Sequence, residues 1–321
     1  PLIDILLPTY NGAKYIRVLL DSLLAQTHSN WHLYIRDDFS KDNTLEIVNE
    51  YIEQHPNQIT LIDNGGKNIG INKGFSTLLQ HSTAPYACFC DQDDKWMEDK
   101  LEVSLNAILK LEKELPNKPC LVYSNLCMVD DEMNVIAESR WKEDKIKPHY
   151  LSLAKLLIQN PINGCVMIMN KRLVKIAQPI HPDALWFDHW VALVAAAAGK
   201  VDYIDRTTIY YRIHEFNASR GENRVTKTEE EDQLSRKLSN KNFKEYYKQL
   251  ENQAKAVENR IKEHGYDNKK SLTVISDFLS IKQVNPIKRR WILLKHGMFK
   301  HRWITTCLLY TSDAADEAKC G

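Results

Sequence analysis

The chain opens on a short, mostly apolar run, Leu2 to Leu7, that ends at Pro8. This is the pattern of a strand buried on both faces. From Ala13 to Gln26 the apolar positions Ile16, Leu19, Leu20, Leu23 and Leu24 fall at helical spacing, which predicts an amphipathic helix. A second strand follows at Trp31 to Ile35, expected to stop at Arg36-Asp37-Asp38. The pattern then predicts a helix over Thr44 to Gln54, a strand over Ile59 to Ile62, a helix over Lys73 to His81 and a strand over Tyr86 to Cys90. Such alternation predicts a parallel sheet covered by helices. Ligands of these sheets bind beyond the carboxyl ends of the strands. The polar groups Thr9-Tyr10-Asn11, Asp37-Asp38 and Asp91-Gln92-Asp93-Asp94 each follow a strand. They are therefore expected to converge on one edge.

Further strands are predicted at Cys120 to Asn125, Gly164 to Met169, Val201 to Ile204 and Thr208 to Arg212. An alanine-rich helix is predicted at His189 to Ala198, closed by Gly199. Near residue 222 the pattern changes. Residues 227 to 264 carry Lys, Glu, Gln and Asn around a thin apolar stripe, which predicts one or two long helices. Residues 287 to 304 are basic and aromatic without an acidic residue. That segment reads equally as a peripheral membrane contact or as the edge of a domain.

Composition narrows the field. A formal net charge of +1 argues against broad electrostatic binding of nucleic acid. The cysteines lie in apolar runs and form no CxxC pair, so neither a disulfide framework nor a structural zinc is expected. This composition, with no signal peptide or long apolar span, leads to the expectation of a cytoplasmic protein, peripheral at most to the inner membrane face. The segment Cys307 to Glu317, CLLYTSDAADE, resembles a translated sequencing-library adapter, so residues 307–321 are expected to be a non-native tail.

The acidic run Asp91 to Asp94 carries the first chemistry. Adjacent carboxylates repel unless a cation sits among them. An all-oxygen set suits Mg²⁺ or Mn²⁺, which usually brings substrate phosphates with it. A solvated loop, with Asp94 capping the next helix, is the competing reading. Asp188 directly precedes a predicted helix, so taken alone it reads as an N-cap, whose backbone bonds would lower its pKa. His189 has the ordinary pKa of a base and is the second candidate for that role. Trp186, Phe187 and Trp190 are candidate sugar-stacking faces or core residues.

Taken in order, these motifs resemble the family 2 glycosyltransferases of GT-A fold, over roughly residues 2 to 221. The matching features are Pro8-Thr9-Tyr10-Asn11, Leu23-Leu24-Ala25-Gln26-Thr27, Asp37-Asp38-Phe39-Ser40 with Asp42-Asn43-Thr44, Asn68-Ile69-Gly70, and Asp91-Gln92-Asp93 with Trp96. Phe187-Asp188-His189-Trp190 and Tyr211-Arg212-Ile213-His214-Glu215-Phe216-Asn217 look most like rhamnosyltransferase-like members. The resemblance implies an α/β GT-A (Rossmann-like), mostly parallel sheet over 1–221 with a helical, basic C-terminal extension over 222–306. It implies a dTDP- or UDP-linked sugar donor, a carbohydrate or lipid-linked acceptor, inversion at the sugar carbon, and Mg²⁺ or Mn²⁺. Thr9 and Tyr10 would line the nucleoside pocket and Asp38 would bond the pyrimidine. Asp91 would meet the ribose or a metal-bound water, Asp93 would ligate the metal, and His214 would face the metal or diphosphate. Asp188 would be the catalytic base. Where many relatives carry an arginine after Asn68-Ile69-Gly70, this chain has Lys73, the substitute donor contact. Arg212 would pair with a phosphate or bridge to a carboxylate. A nucleotidyltransferase and a degenerate sugar-binding module are the rival functions. The first should carry an arginine in its phosphate loop, and Pro8 to Gly12 has none.

Overall fold

The computed structural model of the protein describes residues 1–215, 217 and 229–298, without the side chains of 150 and 229–244. The strands are β1 (Ile3–Thr9), β2 (Trp31–Asp37), β3 (Ile59–Leu61), β4 (Tyr86–Phe89), β5 (Lys95–Trp96), β6 (Cys120–Val129), β7 (Val135–Ala137), β8 (Met167–Asn170) and β9 (Lys200–Arg212). The helices are α1 (Ile16–Leu24), α2 (Thr44–Gln54), α3 (Ile71–His81), α4 (Lys100–Glu114), α5 (Arg140–Glu143), α6 (Leu153–Leu156), α7 (Lys171–Ala177), α8 (Phe187–Ala198), α9 (Glu229–Glu263), α10 (Lys269–Ser280) and α11 (Pro286–His296). The strands form one sheet in the order β3-β2-β1-β4-β8-β6-β9-β5, with β7 paired to β6.

The first half is parallel, as the alternation predicts. Ile3 stands opposite Trp31 and Tyr86, and Thr9 opposite Asp37. The ends of β1, β2 and β4 therefore share one edge, and the three polar groups converge there. β8 then enters antiparallel between β4 and β6.

Three boundaries differ from the sequence pattern, each for a local reason. β2 runs on through Arg36 to Asp37 because the Arg36 guanidinium, 2% exposed, is satisfied inside the fold. It donates to Asp38 and to the carbonyls of Asn64 and Lys67. The two short strands expected at Val201 to Ile204 and Thr208 to Arg212 are one strand, β9, which follows β6 through register shifts near Asn125. Gly164 to Val166 is a tight helical turn rather than strand. Helix α4 follows the acidic loop, and α10 lies within the expected helical extension; both bury an apolar stripe.

The C-terminal helices join the main core. Tyr247, Leu250, Ala254, Val257 and Ile261 of α9 are buried in the same cluster as the apolar residues of α8. The Lys/Glu-rich stretch is a single helix in this structure. The suspected tail 307–321, Phe216, Lys300, Arg302 and Trp303 lie outside the described residues.

Gly199 closes α8 where the chain turns into β9. A Cβ there would stand 1.9 Å from the carbonyl oxygen of Pro119, and a backbone atom cannot step aside. Gly199→Ala is expected to destabilise the fold by about 1–3 kcal/mol, the usual range for overpacking. Chemical denaturation of the variant checks it.

Candidate active site

The site is assembled where β1, β2 and β4 end. Thr9 Oγ1 donates to Asp37 at 2.9 Å, and Asp37 also accepts from the Ser40 backbone and hydroxyl. Thr9 is thus spent on fixing the two strand ends, while Tyr10 beside it is 49% exposed. Gln92 pairs with Tyr10 at two points, accepting from its N–H and donating to its carbonyl, each at 2.9 Å. This side-chain rung locks the acidic loop to the β1 loop. It requires Gly12, because a Cβ there would stand 2.3 Å from Gln92 Oε1.

Asp38 is buried. Its oxygens accept from Arg36 at 2.5 Å and from the backbone N–H groups of Ile69 and Gly70 at 2.8 Å. It therefore shapes the loop that leads into α3. Lys73 lies exposed on the first turn of that helix.

The carboxylates differ sharply from one another. Asp93 Oδ2 is 2.7 Å from His214 Nε2 and 3.3 Å from Asn217 Nδ2. Asn217 also accepts from the His214 N–H and donates to the Arg212 carbonyl, so it holds the turn that presents His214. Tyr15 stacks on His214 with ring centroids 4.8 Å apart, and the Arg212 guanidinium lies 4.8 Å from the Tyr15 ring. The Arg212 guanidinium donates to the carbonyls of Asp93 and Asp131.

Behind Asp93, Asp94 is fully buried. Its Oδ1 accepts from the Arg212 N–H at 3.2 Å, and its Oδ2 has no nitrogen or oxygen partner among the described residues, with the Cys165 thiol beside the carboxyl. Asp94 is therefore no exposed helix cap. Burial, then the charges of Asp93 and Asp91, pushes its carboxyl well above the usual range. Asp91 is pushed up to about 7 by burial and by the charges of Asp93 and Asp188. Ligand atoms of Asp91, Asp94 and Cys165 lie within 4.8 Å of one another. Two carboxyls raised by burial and, after it, by neighbouring negative charge are what a cation among them would relieve. The group brought together among the described residues is thus Asp91, Asp94 and Cys165, whereas Asp93 and His214, two of the three expected ligands, are paired with each other at 2.7 Å.

Asp188 lies near enough for its charge to raise the Asp91 carboxyl. It is the second residue of α8, whose N-cap is Trp186, so it is not the cap its sequence position suggests. One oxygen accepts from the His189 N–H at 2.6 Å and from Asn160 at 3.1 Å; the other accepts from the Gly164 N–H at 3.1 Å. Those bonds pull its pKa down, yet burial outweighs them and pushes it up to about 6. The lowered value expected for a capping carboxylate is thereby overturned, because desolvation exceeds what three donors return.

His189, the second candidate for the base, is excluded by its surroundings. It is 2% exposed, and burial lowers its pKa to about 4. Its Nε2 lies 2.6 Å from the Leu156 carbonyl, which can only accept, so Nε2 carries the proton. Nδ1 then accepts from Gln253 Nε2 at 3.3 Å. Both nitrogens are committed, and His189 ties α8 to α6 and α9. Gln253 also accepts from the Leu185 N–H, and Asn72 accepts from the Phe187 N–H. The turn bearing Asp188 is thus held from three sides. Among the three aromatics, Phe187 and Trp190 are core residues, whereas Trp186 is 45% exposed.

Gln92, Asn217 and Gln253 were not singled out by sequence reasoning. Asn217 lay inside a recognised motif. Gln253 looked like any polar position of a solvated helix. Lys100 is a further case. It has no exposure, its ammonium lacks a hydrogen-bond partner, and it sits 4.1 Å from the Trp96 ring.

Residues 4–119 match the Glycosyl transferase family 2 model. The chain is 35% identical over 120 residues to dTDP-rhamnosyl transferase RfbG of Shigella flexneri, covering 36% of this chain and 37% of that protein. It is 34% identical over 109 residues to WfgD of Escherichia coli, a UDP-Glc:alpha-D-GlcNAc-diphosphoundecaprenol beta-1,3-glucosyltransferase, covering 34% and 42%. The matched region thus spans about two fifths of each relative. Residues 1–349 of TarS of S. aureus, solved in complex with UDP-GlcNAc, superpose with a TM-score of 0.54 at 16% identity, covering 94% of this chain and 93% of that one. Residues 4–119 thus match the family 2 glycosyltransferase model, and the fold over most of the chain is similar to the GT-A fold of TarS.

Proposed function

We propose that this protein is an inverting glycosyltransferase of cell-surface polysaccharide synthesis. It would move a sugar from a dTDP- or UDP-linked donor to a hydroxyl of a carbohydrate or lipid-linked acceptor. The observation that carries this reading is the pairing of two unlike carboxylate groups across one edge. Asp93 is paired with His214 beside Asp91, whose carboxyl is pushed up to about 7, and Asp188, held by Asn160 and Gly164, has a carboxyl pushed up to about 6. The names of RfbG, WfgD and TarS support the donor class, and RfbG makes L-rhamnose the first sugar to try.

The roles we assign are these. Asp38 and Tyr10 shape the nucleoside end of the pocket, and Lys73 stands exposed at its rim for the diphosphate. Asp93, with Asp91 and His214, would hold Mg²⁺ or Mn²⁺, which would supply Lewis-acid stabilisation of the leaving diphosphate. Asp188 takes the proton from the attacking hydroxyl. A base near pH 6 is largely ionised at neutral pH yet still basic enough to accept a proton. With Asp188 as the base and Asp91 beside the metal, a single displacement inverts the sugar carbon.

Melting curves across a panel of nucleotide sugars, with and without Mn²⁺ or Mg²⁺, test the donor site, because a ligand of the native state raises the melting temperature. A metal-dependent shift with one dTDP- or UDP-sugar, followed by its turnover, is expected. Binding without turnover on any acceptor would favour the degenerate binding module instead. Trp186, exposed two residues before Asp188, is placed as the stacking face for the acceptor sugar. Trp186→Ala is therefore expected to raise the acceptor KM by about tenfold, corresponding to ~1.4 kcal/mol, with the donor KM unchanged in initial-rate assays.

A further inference from the structure

Helix α11 carries an apolar stripe on the wrong side for the fold. Its inward face is formed by Arg289, Ile292 and Leu293, all buried, with Arg289 donating to the Ile281 carbonyl. Ile287, Trp291 and Leu294 instead point outward, at 83%, 55% and 68% exposure. At about 100° per residue these three fall within an arc of roughly 60°, opposite the buried face. The cations flank them. Arg290 lies on one side of the stripe, with Lys288 and Lys295 on the other, and all three are exposed. Lys295 leans over the Trp291 ring at 4.7 Å while pairing with Asp277. Residues 286 to 304 contain six basic and no acidic residues. No helix among the described residues is long and apolar enough to cross a membrane, so this stripe suits a surface contact only.

We infer that α11 is a membrane-surface helix that lies on an anionic lipid bilayer, with Ile287, Trp291 and Leu294 entering the headgroup–acyl boundary. Lys288 and Arg290 meet the lipid phosphates beside it. An aromatic and two aliphatic side chains between cations match that interface in both polarity and charge. Nothing in this inference depends on the catalytic reading, and it is tested without turnover.

The experiment is sedimentation of the full chain with vesicles of phosphatidylcholine alone or with roughly one third phosphatidylglycerol. Binding to the anionic vesicles, weakened by salt, is expected, with little to the neutral ones. The triple variant Ile287→Ser, Trp291→Ser, Leu294→Ser should lower vesicle affinity by about tenfold or more, with an unchanged melting temperature. Should that variant melt early, Lys288→Glu with Arg290→Glu provides the second reading, with a loss of similar size on anionic vesicles only. Equal binding to both vesicle types, or binding that neither variant weakens, would overturn the inference. So would a dimer in solution that the triple variant dissociates, since a second copy would then cover the stripe. Affinity gained on deleting 299–321 would overturn it as well, because that segment would then be the native cover.

Discussion

Asp188→Asn is expected to lower kcat by about 10²–10⁴, the usual contribution of a positioned general base, while the chain keeps its fold and its donor affinity. The amide retains the size of the carboxyl and one oxygen to accept from Gly164 or Asn160, but it cannot take a proton. Stability supplies a second, independent readout. The Asp188 carboxyl is raised from 3.8 to about 6 in the folded chain, so the folded state holds a proton that the unfolded state releases. That contribution is fully present below pH 4 and is lost as pH rises through about 6. At neutral pH the buried charge therefore costs about 3 kcal/mol. Asp188→Asn removes this cost and gives up one hydrogen bond of about 1 kcal/mol. Its melting temperature should match or exceed the parent at pH 7.5, and the advantage should shrink towards pH 5. The parent's kcat should fall on the acid side with an apparent pKa near 6. An active Asp188→Asn enzyme, or an acid limb that persists in it, would remove Asp188 as the base.

Asp93→Ala is expected to cut kcat/KM by about 10³, several kcal/mol of charge stabilisation, and to abolish the metal-dependent thermal shift with nucleotide sugars. The variant removes the oxygen shared by His214 and Asn217 and with it the carboxylate whose charge raises both Asp91 and Asp94. With less repulsion those two should ionise more readily, so the variant is not expected to unfold. Asp93→Asn separates the two roles. Its amide oxygen can still accept from His214 and Asn217 but carries no charge. If it too loses the metal effect, the charge is what matters; if it retains that effect, Asp93 is a support for His214 rather than a ligand. A metal-dependent shift that survives Asp93→Ala would place the cation on Asp91 and Asp94 alone.

The edge on which this chemistry sits was legible in the one-dimensional pattern. Apolar runs that stop at polar clusters define β1, β2 and β4, and parallel strands of one sheet end on one side. The short boundaries, the ionisation states and the supporting residues were not. Arg36 read as a strand stop because a buried guanidinium is improbable until its three partners are in place. Asp188 and His189 are adjacent in sequence and looked comparable as bases. One opens into the site with a raised carboxyl, whereas the other is sealed between α6 and α9 and held neutral.

By itself, the order of apolar and polar residues determined the α/β alternation, the strand-end convergence, the acidic run and the basic, aromatic segment near the C-terminus. Each of these depends on local periodicity, which the chain carries whatever its partners. The tertiary structure alone decided which carboxylates are crowded, which histidine is available and which face of α11 is left outside. Desolvation and pairing are set by neighbours distant in sequence: Asp93 by His214 and Asn217, Asp188 by Asn160 and Gly164, His189 by Leu156 and Gln253. A pKa or an exposed stripe is a property of those surroundings, and no window along the chain contains them.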